Sequence, residues 1–163
     1  MIRISQMTQK MIAFYGGNID DINHFMKVWG FAKTIGELEA LDENTQFILE
    51  AAAITHDIAC PLCREKHGNA NGKLQEKEGP PLVYDFFKGM DLTEEQIERI
   101  AFLVGHHHTY APIDGLDYQI LIEADYLVNA GERRDSLDKV RNMYDRFFKT
   151  KSGKDLLKTI YFL

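Results

Sequence analysis

Ionisable side chains stand at four places of this 163-residue chain where nearly all their neighbours are apolar. They are His24 in INHFMKV, the adjacent His56 and Asp57 in ITHDIA, and Asp125 in IEADYLVN. Burying such a group costs free energy unless something compensates it. Neutral imidazoles and ionised carboxylates are the nitrogen and oxygen ligands of a divalent cation, and a shared cation would compensate all four at once. A core histidine donating to a carboxylate would explain any one of them, but not the set. Adjacent residues on a helix diverge by about 100°. His56 and Asp57 therefore share a cation only in a crevice off their own helix, walled by the segments that carry His24 and Asp125.

A second cluster, His106-His107-His108, lies in FLVGHHHTYAPIDG at the end of a stripe formed by Ile97, Ile100, Ala101 and Val104. Val104 precedes His107 by three residues, so the stripe turns His107 and His108 inward more readily than His106. The alternative for the triplet is a helix end where positive charge suits the dipole. Cys60 and Cys63, in CPLC with His67 nearby, have the spacing of half a zinc site or a redox dithiol. No second C-x-x-C and no βαβ pattern accompany them, so structural cysteines at a helix end are expected.

At these residues the sequence resembles the HD-domain superfamily of metal-dependent phosphohydrolases, whose signature is a His, then a His-Asp pair, then a distant Asp. His24, His56-Asp57 and Asp125 follow that order from about His24 to Asn129. The dipeptide alone would carry nothing; the ordered set with its apolar flanks does. The resemblance implies an all-α helical bundle with a metal at its centre, held by His24, His56, Asp57 and Asp125. It also implies hydrolysis of a phosphate ester or phosphoanhydride. Some HD subfamilies hold a second metal with extra histidines, which His107 and His108 resemble. Where a further histidine is usual, this chain has Glu78 in EKEGPPL. A carboxylate ligates a hard cation too, so one or two ions are both open, with Glu78, His107 and His108 as the second set. Mn, Fe, Co, Ni and Zn suit these ligands alike, and Mg is also possible.

The chemistry expected of such a set is metal-assisted hydrolysis, in which the pKa of a bound water falls toward about 7. Asp57 would orient the nucleophile, Glu78 or His107 would protonate the leaving oxygen, and His108 and Lys66 would contact the phosphate, with Lys73 and Arg64 as further clamps. The expected partner is a nucleotide or another small phosphorylated metabolite. Two other classes remain open: a di-iron oxygenase of the HD fold, and a non-catalytic bundle that senses nucleotides. The oligomeric state is not legible.

The elements that must position these residues read as helices throughout, with no period-two strand. Helices are expected over Ile4 to Phe14, from Asp20 through a stripe of His24, Val28, Phe31 and Ile35, and over Glu43 to Ala59, where Pro61 stops the chain. Residues 64–79 carry the Gly, Asn and Lys content of a long loop. Pro80 and Pro81 suit the first turn of a short helix through Phe87. Further helices are expected from Thr93 onward, over YQILIEADYLVNA, over Leu137 to Phe148 and over Leu156 to Phe162.

The apolar share of 45% supports a core without disulfide staples, and the length fits a single domain over residues 1–163. The net charge of −6 lacks the basic stripe that a nucleic-acid duplex requires. No signal-like segment and no span-length apolar run are visible, so a cytoplasmic address without membrane contact is expected.

Overall fold

The computed structural model describes residues 3–163, and all regular structure among them is α-helical. The elements are α1 (Ile4–Tyr15), α2 (Ile19–Leu38), α3 (Glu43–Thr55), α4 (Cys60–His67), α5 (Gly72–Phe87), α6 (Glu94–Val104), α7 (Leu116–Arg133), α8 (Leu137–Arg146) and α9 (Lys151–Tyr161). Local chemistry sets many of their starts. Asn18, Asp42, Asn71, Thr93, Ser136 and Thr150 each accept a hydrogen bond from a backbone N–H of the following turn, supplying one of the donors that a helix start leaves unpaired.

Helix α3 is the axis of the bundle, packed against α1, α2, α6 and α7. Ala51, Ala52 and Ala53 are fully buried on it, and small side chains let neighbouring helices approach closely enough to converge beyond its end. Its buried residues join Met7 and Met11 of α1, Phe25, Val28 and Ile35 of α2, Ile100 and Leu103 of α6, and Ile120 and Leu121 of α7 in one contiguous apolar cluster. No helix among the described residues is long and apolar enough to cross a membrane.

The long loop expected over 64–79 is not there. Only residues 68–71 separate α4 from α5. Gly68, at φ +76°, ends α4 with its N–H on the Arg64 carbonyl, and Asn71 caps α5 by accepting from Leu74 N at 3.1 Å. These loop-forming residues punctuate two helices instead of filling one loop. Pro80 and Pro81 lie inside α5, not at its first turn. Packing accounts for their tolerance better than propensity does. A Cβ on Gly105 would meet Pro80 Cγ at 2.9 Å, and one on Gly79 would meet Val104 Cγ1 at 2.8 Å, so Pro80 belongs to a close junction of α5 with the end of α6.

Pro61 also departs from expectation, since it stands in the first turn of α4 rather than ending the helix before it. Helix α3 stops at Thr55, and a tight turn follows, with Ile58 N bonded to Thr55 O at 3.0 Å and Cys60 N to Asp57 O at 2.9 Å. The His-Asp pair therefore sits on a turn, as do His106, His107 and His108 after α6 ends at Val104. Near the chain end, α9 starts at Lys151, ahead of the expected Leu156, because Thr150 caps it and the buried Glu123 carboxylate accepts from the N–H groups of Lys149 and Thr150.

Candidate metal centre

Four elements bring the expected ligands to one point: α2 supplies His24, the turn after α3 supplies His56 and Asp57, α7 supplies Asp125, and the turn after α6 supplies His107. His24 Nε2 lies 3.2 Å from His56 Nε2, from Asp57 Oδ2 and from Asp125 Oδ1. His56 Nε2 is 3.4 Å from the same two carboxylate oxygens. The other oxygen of Asp57, Oδ1, is 3.4 Å from His107 Nε2. Asp57 thus divides its oxygens between two histidine groups.

Each of these imidazoles is aimed by a bond at its far nitrogen. His56 Nδ1 donates to the Ala53 carbonyl at 2.7 Å, His107 Nδ1 to the Val104 carbonyl at 2.8 Å, and His24 Nδ1 to Glu132 Oε2 at 2.9 Å. A donor at Nδ1 leaves the lone pair on Nε2, one of the two ways in which a histidine presents itself to a metal. The turns are pinned as well. Tyr15 Oη donates to the Asp57 carbonyl at 2.8 Å, Tyr118 Oη donates to the carbonyls of His106 and Thr109, and Glu76 Oε1 accepts from His108 N at 3.0 Å and from Thr109 Oγ1 at 2.8 Å.

The electrostatics of this pocket ask for a cation. Burial opposes charge on Asp57, yet His56 and His107 hold its carboxyl well below the usual carboxylate range. Asp125 is likewise held down against burial by His24 and His56. Burial lowers His24 and His56 too, but Asp57 and Asp125 outweigh it and both are raised. The Nε2 atoms of His24 and His56 are 3.2 Å apart, a distance that admits one proton or one cation between them but not two bare lone pairs or two protons. His107 Nε2 and Asp125 Oδ1 are buried with only an ion-pair contact each, to Asp57 and to the two histidines, and with no well-formed hydrogen bond. One divalent cation beside His24, His56, Asp57 and Asp125 would take up both Nε2 lone pairs and the Asp125 oxygen, while His107 Nε2 falls to the group it forms with Asp57 and His108, so the residues fit a metal. Metal-binding geometry also groups Asp57 with His107 and His108. His108, at the exposed rim of this group, is pushed down by its partial enclosure and by the neighbouring His107, which favours the neutral ring.

Other expected site residues are elsewhere. Glu78 Oε1 pairs with Lys66 Nζ at 2.9 Å and His67 Nε2 at 3.2 Å, tying α4 to α5, and neither Glu78 nor Lys66 joins the converging groups. Arg64 is bound in a fork by Asp21, at 2.8 Å to each oxygen. His106 stacks on Phe102 with ring centres 4.0 Å apart and donates to its carbonyl, away from the cluster. Lys73 lines an open pocket of about 430 Å³ with His108 and Thr109. Both cysteines are buried and unbridged, and burial first, then neighbouring carboxylates, push their thiols up, so neither is a poised thiolate.

Sequence reasoning missed Glu132 and Gln75. Glu132 follows Asp125 by seven residues, two turns along α7, so its place on the same face was available as a signal. Gln75 was hidden in the supposed loop.

A family model described as HD domain matches residues 21–141. The chain belongs to the HD-domain family. Its members are mostly metal-dependent hydrolases, and in this HD domain the matched segment contains every residue that converges on the centre. Searches of curated proteins and of solved structures give no match.

Proposed function

We propose that this HD domain is a two-metal phosphohydrolase acting on a small phosphorylated metabolite, a nucleotide before others. The observation that carries the reading is the divided carboxylate of Asp57, with Oδ2 toward His24 and His56 and Oδ1 toward His107. His24, His56, Asp57 and Asp125 would hold the first ion, and Asp57, His107 and His108 the second. When bound, the ions supply Lewis acidity to the phosphoryl oxygens and acidify the attacking water.

The chain's own residues do the rest. Glu132, Ala53 and Val104 keep three rings aimed inward, so the ligands need no reorganisation when charge develops on the substrate. His56 and His107 are closed to solvent, whereas the Asp57 side chain is 20% exposed, so water and phosphate reach the centre on the Asp57 side. Lys73, beside His108, offers the phosphate a cation not engaged as Arg64 and Lys66 are.

The test is phosphate release from nucleoside mono-, di- and triphosphates and sugar phosphates with Mn²⁺, Co²⁺ or Ni²⁺. The reading expects metal-dependent turnover that Asp57→Asn abolishes. Tight metal binding with no phosphate release from any of these substrates would overturn it.

A further inference from the structure

His24, His56 and His107 all expose Nε2, but His108 is held the other way round. His108 Nε2 lies 3.0 Å from Gln75 Oε1, while the Gln75 amide nitrogen donates to the Ala70 carbonyl at 2.6 Å. Turning that amide over would set its oxygen against the Ala70 oxygen, so Gln75 must present an acceptor to His108. An acceptor there requires an N–H at Nε2. The lone pair of His108 is therefore on Nδ1.

The rest of the residue is gripped from the same helix. A Cβ on Gly72 would meet His108 Cγ at 2.8 Å, so the imidazole fits against the start of α5 only because that position is glycine. Glu76, next to Gln75, takes the His108 backbone N–H. Gln75 itself is buried, and these contacts to His108 and Ala70 are its side-chain bonds.

We propose that Gln75 is the positioning residue of the second metal, fixing the tautomer and orientation of His108 so that Nδ1 is available beside Asp57 and His107. This rests on the two-metal reading above. A neutral amide directs the ring without adding charge, whereas the Glu132 carboxylate behind His24 also raises ligand basicity. The second ion is accordingly held more weakly than the first, and the centre loads stepwise.

Gln75→Met removes both bonds at similar volume. The measurements are long-range ¹H–¹⁵N spectra of the imidazoles in protein carrying one equivalent of Zn²⁺, and a two-step Zn²⁺ titration. In the wild type His108 should be the Nε2–H tautomer. Gln75→Met should mix the tautomers and weaken the second equivalent about 10–100-fold, with the first unchanged. A Gln75→Met protein that binds two ions like the wild type and keeps the tautomer refutes the role of Gln75 alone. A wild type that takes up only one ion refutes the two-metal reading and this role together.

Discussion

Replacing Glu132 with glutamine should weaken binding of the first metal by about fivefold while leaving the fold intact. Glu132 Oε2 accepts the Nδ1–H of His24 at 2.9 Å, and its other oxygen pairs with Lys27 Nζ at 2.6 Å. Glutamine keeps an acceptor in place but loses the charge. A hydrogen bond to a charged group contributes about 1.5–3 kcal/mol and a neutral one about 0.5–1.5. The difference is about 1–1.5 kcal/mol, which at about 1.4 kcal/mol per decade is up to tenfold. Glu132 is 36% exposed, so solvent screening sets the loss toward the lower end. Lys27 is half exposed, and Lys27→Met should change affinity by less than about twofold because surface pairs contribute little. Competition titration against a chelating dye reads both variants. An unchanged affinity in Glu132→Gln, or a larger loss in Lys27→Met, would refute the claim that the carboxylate aims and charges His24.

Metal removal should lower Tm. A ligand at a hundred times its Kd stabilises by about 2.7 kcal/mol, or roughly 5–10 °C for a domain of this size, and calorimetry with and without chelator checks it. His56→Ala should abolish that difference along with the bound metal; a variant that keeps full metal content would contradict the ligand set. Cys60→Ser with Cys63→Ser should leave hydrolysis largely intact, because both thiols are held protonated, and a collapse of rate in the folded variant would revive a dithiol role. Gly105→Ala should cost about 1–3 kcal/mol in denaturant unfolding, since its Cβ would meet Pro80 Cγ at 2.9 Å, and a neutral result would show that α5 yields there.

Much of the candidate centre was legible because its residues break an apolar pattern. His24, His56 and Asp125 are polar residues in segments whose neighbours build the core, and it was the ordered set with its apolar flanks that singled them out. His107 followed from its spacing to Val104, although a turn and not a continued helix delivers it. The stretch between Arg64 and Gly79 was misread because Gly, Asn and Pro are weighed by local preference, whereas tertiary contact decides. Gly72, Gly79 and Gly105 are sites of close approach, and Pro80 packs where a helix would otherwise be doubted. That misreading hid Gln75 and Glu76 and lent Glu78 a role that its pairing with Lys66 and His67 does not support. Outer partners such as Glu132 leave a faint signal, since an exposed glutamate near a helix end is ordinary in sequence.

The most direct test of the divided carboxylate is the number of divalent ions per chain in the wild type, His107→Ala and Asp57→Ala, read by elemental analysis beside phosphate release. The account predicts two ions in the wild type, one in His107→Ala with strongly reduced turnover, and loss of both in Asp57→Ala. A His107→Ala protein that keeps two ions and the wild-type rate would contradict it.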